Sequence, residues 1–344
     1  MKPFAICSDN HYHQWSAFST INSDGVNSRL QHIIDETKRM ADDLESRGGN
    51  VLYFGGDTYH VRGSVDPKVL NPVADLFEEL IERGFECRMI AGNHDLSDDH
   101  SNKLGNASQV LEKLGCKVNV TPTYYPDHKL VMLPWHPEVS EVDKKLKHLG
   151  KKEEMDYAII HAPMNSVIKG IPDTGLDPDK LKDYGFKKIW VGHYHSHRNF
   201  HDKVYSIGAM THQTWGDVGS KAGYIIVDND EVTHVSSSAP MFVDYDKDDD
   251  CEGNYVRVNL EEATPEEIAK IKQHVMDQGA LGCIVKATPK KSGGVRAFTV
   301  KSGTSTIQSV NDFIDSQSKD LSSDISTLKN ECLEILREAE TAEE

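Results

Sequence analysis

The sequence lacks any apolar run approaching the ~20 residues of a membrane-spanning helix, so no such helix is expected. Behind Met1-Lys2-Pro3 it lacks the charged, apolar and small-residue regions of a secretory signal, so a cytosolic location is expected. It has no C-x-x-C pair. The six cysteines (Cys7, Cys87, Cys116, Cys251, Cys283 and Cys332) are scattered, which reads as reduced, mostly buried thiols rather than a disulfide framework. Positive charge is scarce. With a net charge of −17, the totals give no basic face wide enough to coat a nucleic acid. In the more acidic C-terminal third, one acid-free stretch carries Lys286, Lys290, Lys291, Arg296 and Lys301. It reads equally well as a phosphate contact or as a solvated loop. No internal repeat is present.

What the chain does have suits a soluble globular protein: 344 residues, 38% of them hydrophobic, enough for one large core and something smaller. Residues 3–8 read as a buried strand. A helix from about Ser28 to Ser46 follows, with Leu30, Ile33, Ile34, Met40, Ala41 and Leu44 at helical spacing and Gly48-Gly49 at its end. Val51 to Phe54 is a strand. Val69, Leu70, Val73, Leu76, Phe77, Leu80 and Ile81 line a second helix, Cys87 to Ala91 forms a third strand, and Asn106 caps a short helix reaching Leu114. Strands then cluster at 117–120, 129–133, 156–160, 188–191, 203–207 and 223–227. Alternating strands and helices followed by clustered strands predict a mixed α/β core with more than one sheet.

The texture changes near residue 240. A β-α-β unit is expected from a strand at Tyr255 to Val258, a helix from about Pro265 to Met276 and a strand at Gly282 to Val285. Residues 290–304 read as a linker. Two terminal helices follow, one lined by Ile307, Val310 and Ile314, the other by Ile325, Leu328, Cys332 and Ile335.

Five motifs stand where hydrophobic runs end: Asp9-Asn10-His11, Gly56-Asp57, Gly92-Asn93-His94-Asp95, His161 and Gly192-His193-Tyr194-His195. If the local chain is extended, Asp9 and His11 point to one side, as do His193 and His195. Asp57 offers a bridging carboxylate, and Asn93 a neutral carbonyl oxygen. Together they supply ligands for two adjacent divalent ions. The nitrogen and oxygen donors, with no thiolate, favour manganese, iron or zinc over calcium or magnesium. Two divalent ions bring more positive charge than two carboxylates remove, so the point would attract a phosphate even on an acidic protein. Of the 17 histidines, His32, His128, His148, His197, His201, His212, His234 and His274 have no motif support and read as ordinary surface or hydrogen-bonded residues. His13, His100 and His136 lie near motifs.

In this order the motifs resemble those of the calcineurin-type metallophosphoesterases, with Gly92-Asn93-His94-Asp95 as the specific element. Across residues 1–228 the spacing is similar to the SbcD family of DNA double-strand-break repair nucleases, which includes phage recombination endonuclease subunits. His60, three residues after Asp57, stands where the archaeal and eukaryotic repair nucleases have histidine and many other phosphoesterases have aspartate. Leu133-Pro134-Trp135, Gly175-Leu176-Asp177-Pro178 and Tyr205-Ser206-Ile207-Gly208 also look like phage members. Two positions depart from the family pattern: His13 replaces a frequent glycine, and Gly208-Ala209-Met210 replaces Gly-Ser-Pro or Gly-Thr-Pro.

The resemblance implies a four-layer α-β-β-α sandwich over residues 1–240. It further implies a capping, DNA-steering domain over 250–290 and a helical segment over 305–344 that binds an SbcC-type ATPase. One ion, most favourably manganese, would be held by Asp9, His11, Asp57 and His195; the other by Asp57, Asn93, His161 and His193. His94 would be the catalytic histidine, and His60 would position the phosphodiester. The implied activity is 3′→5′ exonuclease on duplex ends and endonuclease on single strands, within a heterotetramer built on a homodimer, in a bacterial or phage-infected cytosol. Two rival readings differ in class: a small-molecule phosphodiesterase or phosphoprotein phosphatase, and a non-catalytic assembly module.

Overall fold

Phe4 and Ile6 leave the first strand on one side, Ala5 and Cys7 on the other, and all four are fully buried. Such a strand needs a cover on both faces, and the computed structural model supplies it. Described are residues 1–98, 103–168, 170, 174–289, 305–317 and 325–341. In chain order the elements are β1 (Phe4–Cys7), α1 (Ser28–Ser46), β2 (Val51–Phe54), α2 (Pro67–Glu82), β3 (Glu86–Ile90), β4 (Lys117–Asn119), β5 (Thr123–Tyr125), β6 (Leu130–Leu133), α3 (Val139–Leu149), β7 (Tyr157–His161), α4 (Pro178–Leu181), β8 (Lys188–Gly192), β9 (Arg198–Phe200) and β10 (Val204–Ser206). There follow β11 (Gly223–Asp228), β12 (Glu231–Ser236), β13 (Phe242–Asp244), β14 (Tyr255–Ala263), α5 (Pro265–Asp277), β15 (Gly282–Pro289), α6 (Thr306–Gln317) and α7 (Ile325–Thr341).

Two six-stranded sheets form the centre, ordered β12-β11-β1-β2-β3-β4 and β5-β6-β7-β8-β10-β9. In the first, β1 to β4 are parallel and β11 runs against β1. In the second, β6, β7, β8 and β10 are parallel and the edge strands β5 and β9 are antiparallel. Phe4, Ile6 and Tyr53 meet Met132, Ile159 and Trp190 between the sheets. Ala5, Leu52, Phe54 and Met89 pack outward on Leu30, Met40, Leu44 and Phe77 of α1 and α2. Ala158, Ile160 and Val191 pack outward on Val142, Leu146 and Leu181 of α3 and α4. The result is the α-β-β-α layering.

Local signals set the helix starts. The Asn27 side chain accepts from the Arg29 and Leu30 N–H groups, and Asp66 accepts from the Lys68 N–H just ahead of Pro67. Asn106 accepts from the Ser108 N–H, although the helix it opens, Ala107–Leu114, is a 3-10 helix that stops at Gly115 with φ of 107°. The sequence does not announce α3, α4, β5, β9, β12 or β13. A third sheet, β13-β14-β15, therefore has one strand more than the expected β-α-β unit.

Contacts divide the chain into two compact units, Met1–Leu260 with Pro265–Ala287, and Glu261–Thr264 with Thr288–Glu344. In the second unit, α6 and α7 pack on each other, Ile314 is buried, and Lys329 pairs with Asp315 at 2.5 Å. All six cysteines are free thiols. Among the described residues, no helix is long and apolar enough to cross a membrane. Lys290, Lys291, Arg296 and Lys301 of the basic stretch, and His100, lie outside the described residues.

Candidate metal centre

Parallel strands deliver their following residues to one end of a sheet, and ligand sites in such sheets lie at the carboxyl ends. Asp9 and His11 follow β1, Asp57 follows β2, Asn93 and His94 follow β3, His161 ends β7, and His193 and His195 follow β8. The local backbone is not extended as expected. Asp9, His11, Asp57 and His193 have φ of 52°, 46°, 53° and 113°. Left-handed conformations cost non-glycine residues on the order of 1–3 kcal/mol each and persist only where the surroundings hold them. Here the holding is visible. The Asp9 N–H donates to Gly56 O and the His11 N–H to Asp57 O, both at 3.0 Å, so the two ligand loops are laced together. The turns, not a pleat, aim the side chains at one point.

That point holds two donor groups. Asp9, His11 and His195 bring their ligand atoms within 4.8 Å of one another, and so do Asp57, His161 and His193. Asp57 Oδ2 lies 3.6 Å from His11 Nε2 and 3.4 Å from His161 Nε2, between the two groups. Asn93 Oδ1 lies 3.0 Å from His193 Nδ1 and 3.3 Å from His161 Nε2. Asp57 Oδ1 is turned away, accepting the His94 N–H at 2.8 Å. His161 Nδ1 lies 2.8 Å from Gly55 O, so it carries the proton and leaves Nε2 as the donor to a cation. Glycine is required beside these candidate ligands. A Cβ on Gly92 would stand 2.1 Å from Asp57 Oδ1, and one on Gly56, with φ of 102°, 2.4 Å from His161 Nδ1.

The remainder of the Gly92-to-Asp95 motif is a clamp. Fully buried Asp95 accepts from Gly92 N–H (2.9 Å), Tyr59 N–H (3.0 Å) and Ser108 Oγ (2.9 Å). His94 Nδ1 lies 2.6 Å from His60 O, which puts its proton there and leaves Nε2 for chemistry. The His60 and His94 rings stack with centroids 5.3 Å apart, and His60 Nδ1 is 3.4 Å from His11 Nδ1. His13 and Trp15 flank His60, with ring centroids 5.0 and 4.4 Å away.

The electrostatics fit a cation pair. Asp9 Oδ1 is buried with no hydrogen-bond partner among the described residues, an arrangement that costs free energy unless a positive charge meets it. Burial raises the Asp9 carboxyl and pushes His11 down. Burial also opposes a charge on His161, but Asp57 overcomes it and lifts the imidazole to about 9. Burial, then His161, lowers His193 to about 4. Burial, with help from His13 and His94, lowers His60 to about 4. The buried Asp57 and Asp9 carboxylates thus favour positive charge at His161, while burial disfavours a proton on His11, His193 and His60. The donor set of imidazoles, carboxylates and one amide oxygen suits transition ions of the manganese, iron and zinc kind.

All nine predicted residues converge here: Asp9, His11, Asp57, His60, Asn93, His94, His161, His193 and His195. Three neighbours lie outside the predicted site residues, although the sequence marks one of them, Trp135, within the Leu133-Pro134-Trp135 resemblance. The Trp135 ring stacks on His193, with centroids 5.4 Å apart and planes 27° apart. Asp217 Oδ1 sits 2.9 Å from His195 Nδ1, and Gln213 Nε2 donates to Asp9 O at 2.8 Å. The departure at Gly208-Ala209-Met210 marks this loop as unusual, but nothing in its sequence ties Asp217 to a histidine 22 residues away. A cleft of about 610 Å³ opens beside His193 and His195, with Val167, Ile168, Tyr194 and Val218 on its walls.

The chain is 27% identical over 202 residues to Exonuclease subunit 1 of Enterobacteria phage T4, a match covering 57% of this chain and 58% of that relative's length. Among solved structures, TT1561 of Thermus thermophilus aligns over 69% of this chain and 99% of its own, with a TM-score of 0.40 and 11% identity. The family model of the calcineurin-like phosphoesterases matches residues 2–197, every predicted ligand among them, and the chain belongs to that family.

Proposed function

We propose that this chain is the nuclease subunit of an SbcCD-like repair and recombination complex, hydrolysing DNA phosphodiester bonds at a dinuclear centre in the cytosol of a bacterium or a phage-infected host. The observation that carries the reading is the position of Asp57 Oδ2 between His11 Nε2 and His161 Nε2, within 3.6 Å of each. One carboxylate oxygen so placed is what two neighbouring ions need in order to share a ligand. Asp9, His11, Asp57 and His195 would hold one ion, and Asp57, Asn93, His161 and His193 the other, with manganese favoured by the donor set. Bound divalent ions supply an activated water and Lewis-acid polarisation of the phosphoryl oxygens.

The chain's own groups do the rest. His94, with Nδ1–H committed to His60 O, would in its doubly protonated form present Nε2–H to the leaving 3′-oxygen, passing that proton to it as the P–O bond breaks and stabilising charge in the transition state. His60, its ring stacked on His94, positions the phosphodiester. The similarity to a phage exonuclease subunit supports DNA as substrate and a partner subunit in the assembly. The partner would be an SbcC-type ATPase docked on α6 and α7, where Ile307 and Ile335 stay exposed, in a heterotetramer built on a homodimer. The sheet β13-β14-β15 with α5 would form the capping, DNA-steering element.

A cleavage assay on end-labelled duplex and on circular single-stranded DNA, with manganese or magnesium, tests this beside a chromogenic phosphodiester and phosphomonoester. Shortening of the duplex from its 3′ ends with nicking of the circle supports a nuclease. Turnover of the chromogenic esters alone would point instead to a small-molecule phosphodiesterase or a phosphatase.

A further inference from the structure

His195 is held from behind by the loop that follows β10. Its Nδ1 lies 2.9 Å from Asp217 Oδ1, and the side chain of Asp217 is buried. The two carboxylate oxygens divide their work. Oδ2 accepts the Gln213 and Thr214 N–H groups, each at 2.8 Å, and closes the turn. Oδ1 takes no part in the turn and faces the imidazole. A purely architectural aspartate would need only the first oxygen.

The same turn reaches the opposite ligand. Gln213 Nε2 donates to the backbone carbonyl of Asp9 at 2.8 Å. Gln213 is itself pinned, because its carbonyl accepts from Arg29 Nη2 at 2.5 Å. The Arg29 guanidinium is buried and lies among ring faces, 4.9 Å from the centroid of Phe242, 5.4 Å from Trp15 and 5.5 Å from Tyr255. Burial lowers its pKa to about 10, which leaves it charged at neutral pH. A stiff anchor is thereby connected through one short turn to two groups of the centre, Asp9 and His195. No such contact from this turn runs to Asp57, Asn93, His161 or His193 among the described residues.

We propose that Asp217 and Gln213 are positioning residues for one half of the metal centre, that of Asp9, His11 and His195, and leave the other half unaffected. Asp217 fixes the His195 tautomer with its proton on Nδ1, so that Nε2 is the lone-pair donor, and orients the ring. A carboxylate behind a ligating imidazole also makes it a better donor. Gln213 holds the Asp9 backbone so that the unpartnered Oδ1 stays aimed into the centre. This rests on the dinuclear reading given above, and the test separates the two.

The full-length protein, stripped of metal, is titrated with manganese by calorimetry and by electron paramagnetic resonance, as wild type, Asp217→Asn and Gln213→Met. Wild type should take up two ions with a spin-coupled spectrum. Asp217→Asn keeps the shape and an acceptor but loses the charge. One of its ions should bind about 10- to 100-fold more weakly, the usual penalty for losing an outer partner of a metal ligand. The other ion should keep its affinity, and at intermediate loading the spectrum should be that of isolated ions. Gln213→Met, which preserves length and the backbone contacts, should weaken the same ion by a smaller factor; it carries the test if the first variant fails to fold. Asp217→Glu, which restores the charge, should recover part of the affinity. Two outcomes overturn the positioning role: a variant that melts lower without metal yet binds both ions as wild type does, or one that loses both ions equally. A wild-type protein that takes up no pair of ions would sink the dinuclear reading itself.

Discussion

The backbone N–H of His94 donates to Asp57 Oδ1 at 2.8 Å, so the motif carrying the proposed catalytic histidine also orients the proposed bridging carboxylate. The two jobs can be separated, because one uses the His94 main chain and the other its ring. His94→Ala retains the N–H and should bind both ions with wild-type stoichiometry. Its cleavage rate should fall by about 10²–10⁴-fold, the range for losing a positioned general acid. Metal analysis alongside a plasmid-nicking time course checks it, and undiminished nicking would remove His94 from the mechanism.

Gly92→Ala tests the opposite side of that relationship. The new Cβ would stand 2.1 Å from Asp57 Oδ1, an oxygen held in place by the His94 N–H, and 2.4 Å from the Asp57 backbone nitrogen. Something must shift, at a cost of about 1–3 kcal/mol. The variant should melt several degrees lower and lose metal affinity for both ions, since both would share Asp57. Thermal denaturation without metal and calorimetric manganese titration measure the two effects separately.

An ordinary histidine pair should govern part of the acid sensitivity. His234 on β12 stacks on His197 with ring centroids 4.0 Å apart, and burial, then His197, lowers His234 to about 3. Its unfolded value is about 6.5. Above that value neither state holds the proton and the folded state is unpenalised. Below it the unfolded chain binds a proton that the folded chain refuses, so stability falls as pH drops from about 6.5 towards 3. His234→Phe keeps the stack and removes the titration. Its melting temperature should change less between pH 7 and pH 5 than that of wild type, and an unchanged pH slope would exclude the pair.

The proposed partner contact is separable from the chemistry. Removing residues 304–344 deletes α6 and α7 and leaves every proposed ligand in place. The shortened chain should keep its basal metal-dependent cleavage and fail to co-purify with a co-expressed SbcC-type ATPase. Retention of the ATPase would place the contact elsewhere.

The candidate centre is legible in sequence because each proposed ligand lies within a few residues of the end of an apolar run that needs no partner to be recognised, such as Val51 to Phe54 ahead of Asp57 or Tyr157 to Ile160 before His161. The geometry inside the motifs is not, since nothing in Asp9-Asn10-His11 announces left-handed backbone. What escapes elsewhere does so for several reasons. Helix α3 buries only Val142 and Leu146 in a run of charged residues, so its period is faint. Strands β5, β9 and β13 are three residues each, too short to alternate. Asp217 escapes because its meaning arises only when the chain returns to His195 after 22 residues, a contact of tertiary origin.

The division of donors between the two sheets has a mechanical side. Asp9, Asp57 and Asn93 hang from strands of the first sheet, and His161, His193 and His195 from the second. Any ion they share is a rivet through the sandwich, linking segments as remote in the chain as Asp9 and His195. Because such a rivet forms only in the folded state, a hundredfold excess of free ion over its dissociation constant adds about 2.7 kcal/mol against unfolding. The protein should therefore melt higher in manganese than in chelator, and in a metal-starved cell its lifetime, not only its turnover, would track the supply of divalent ions.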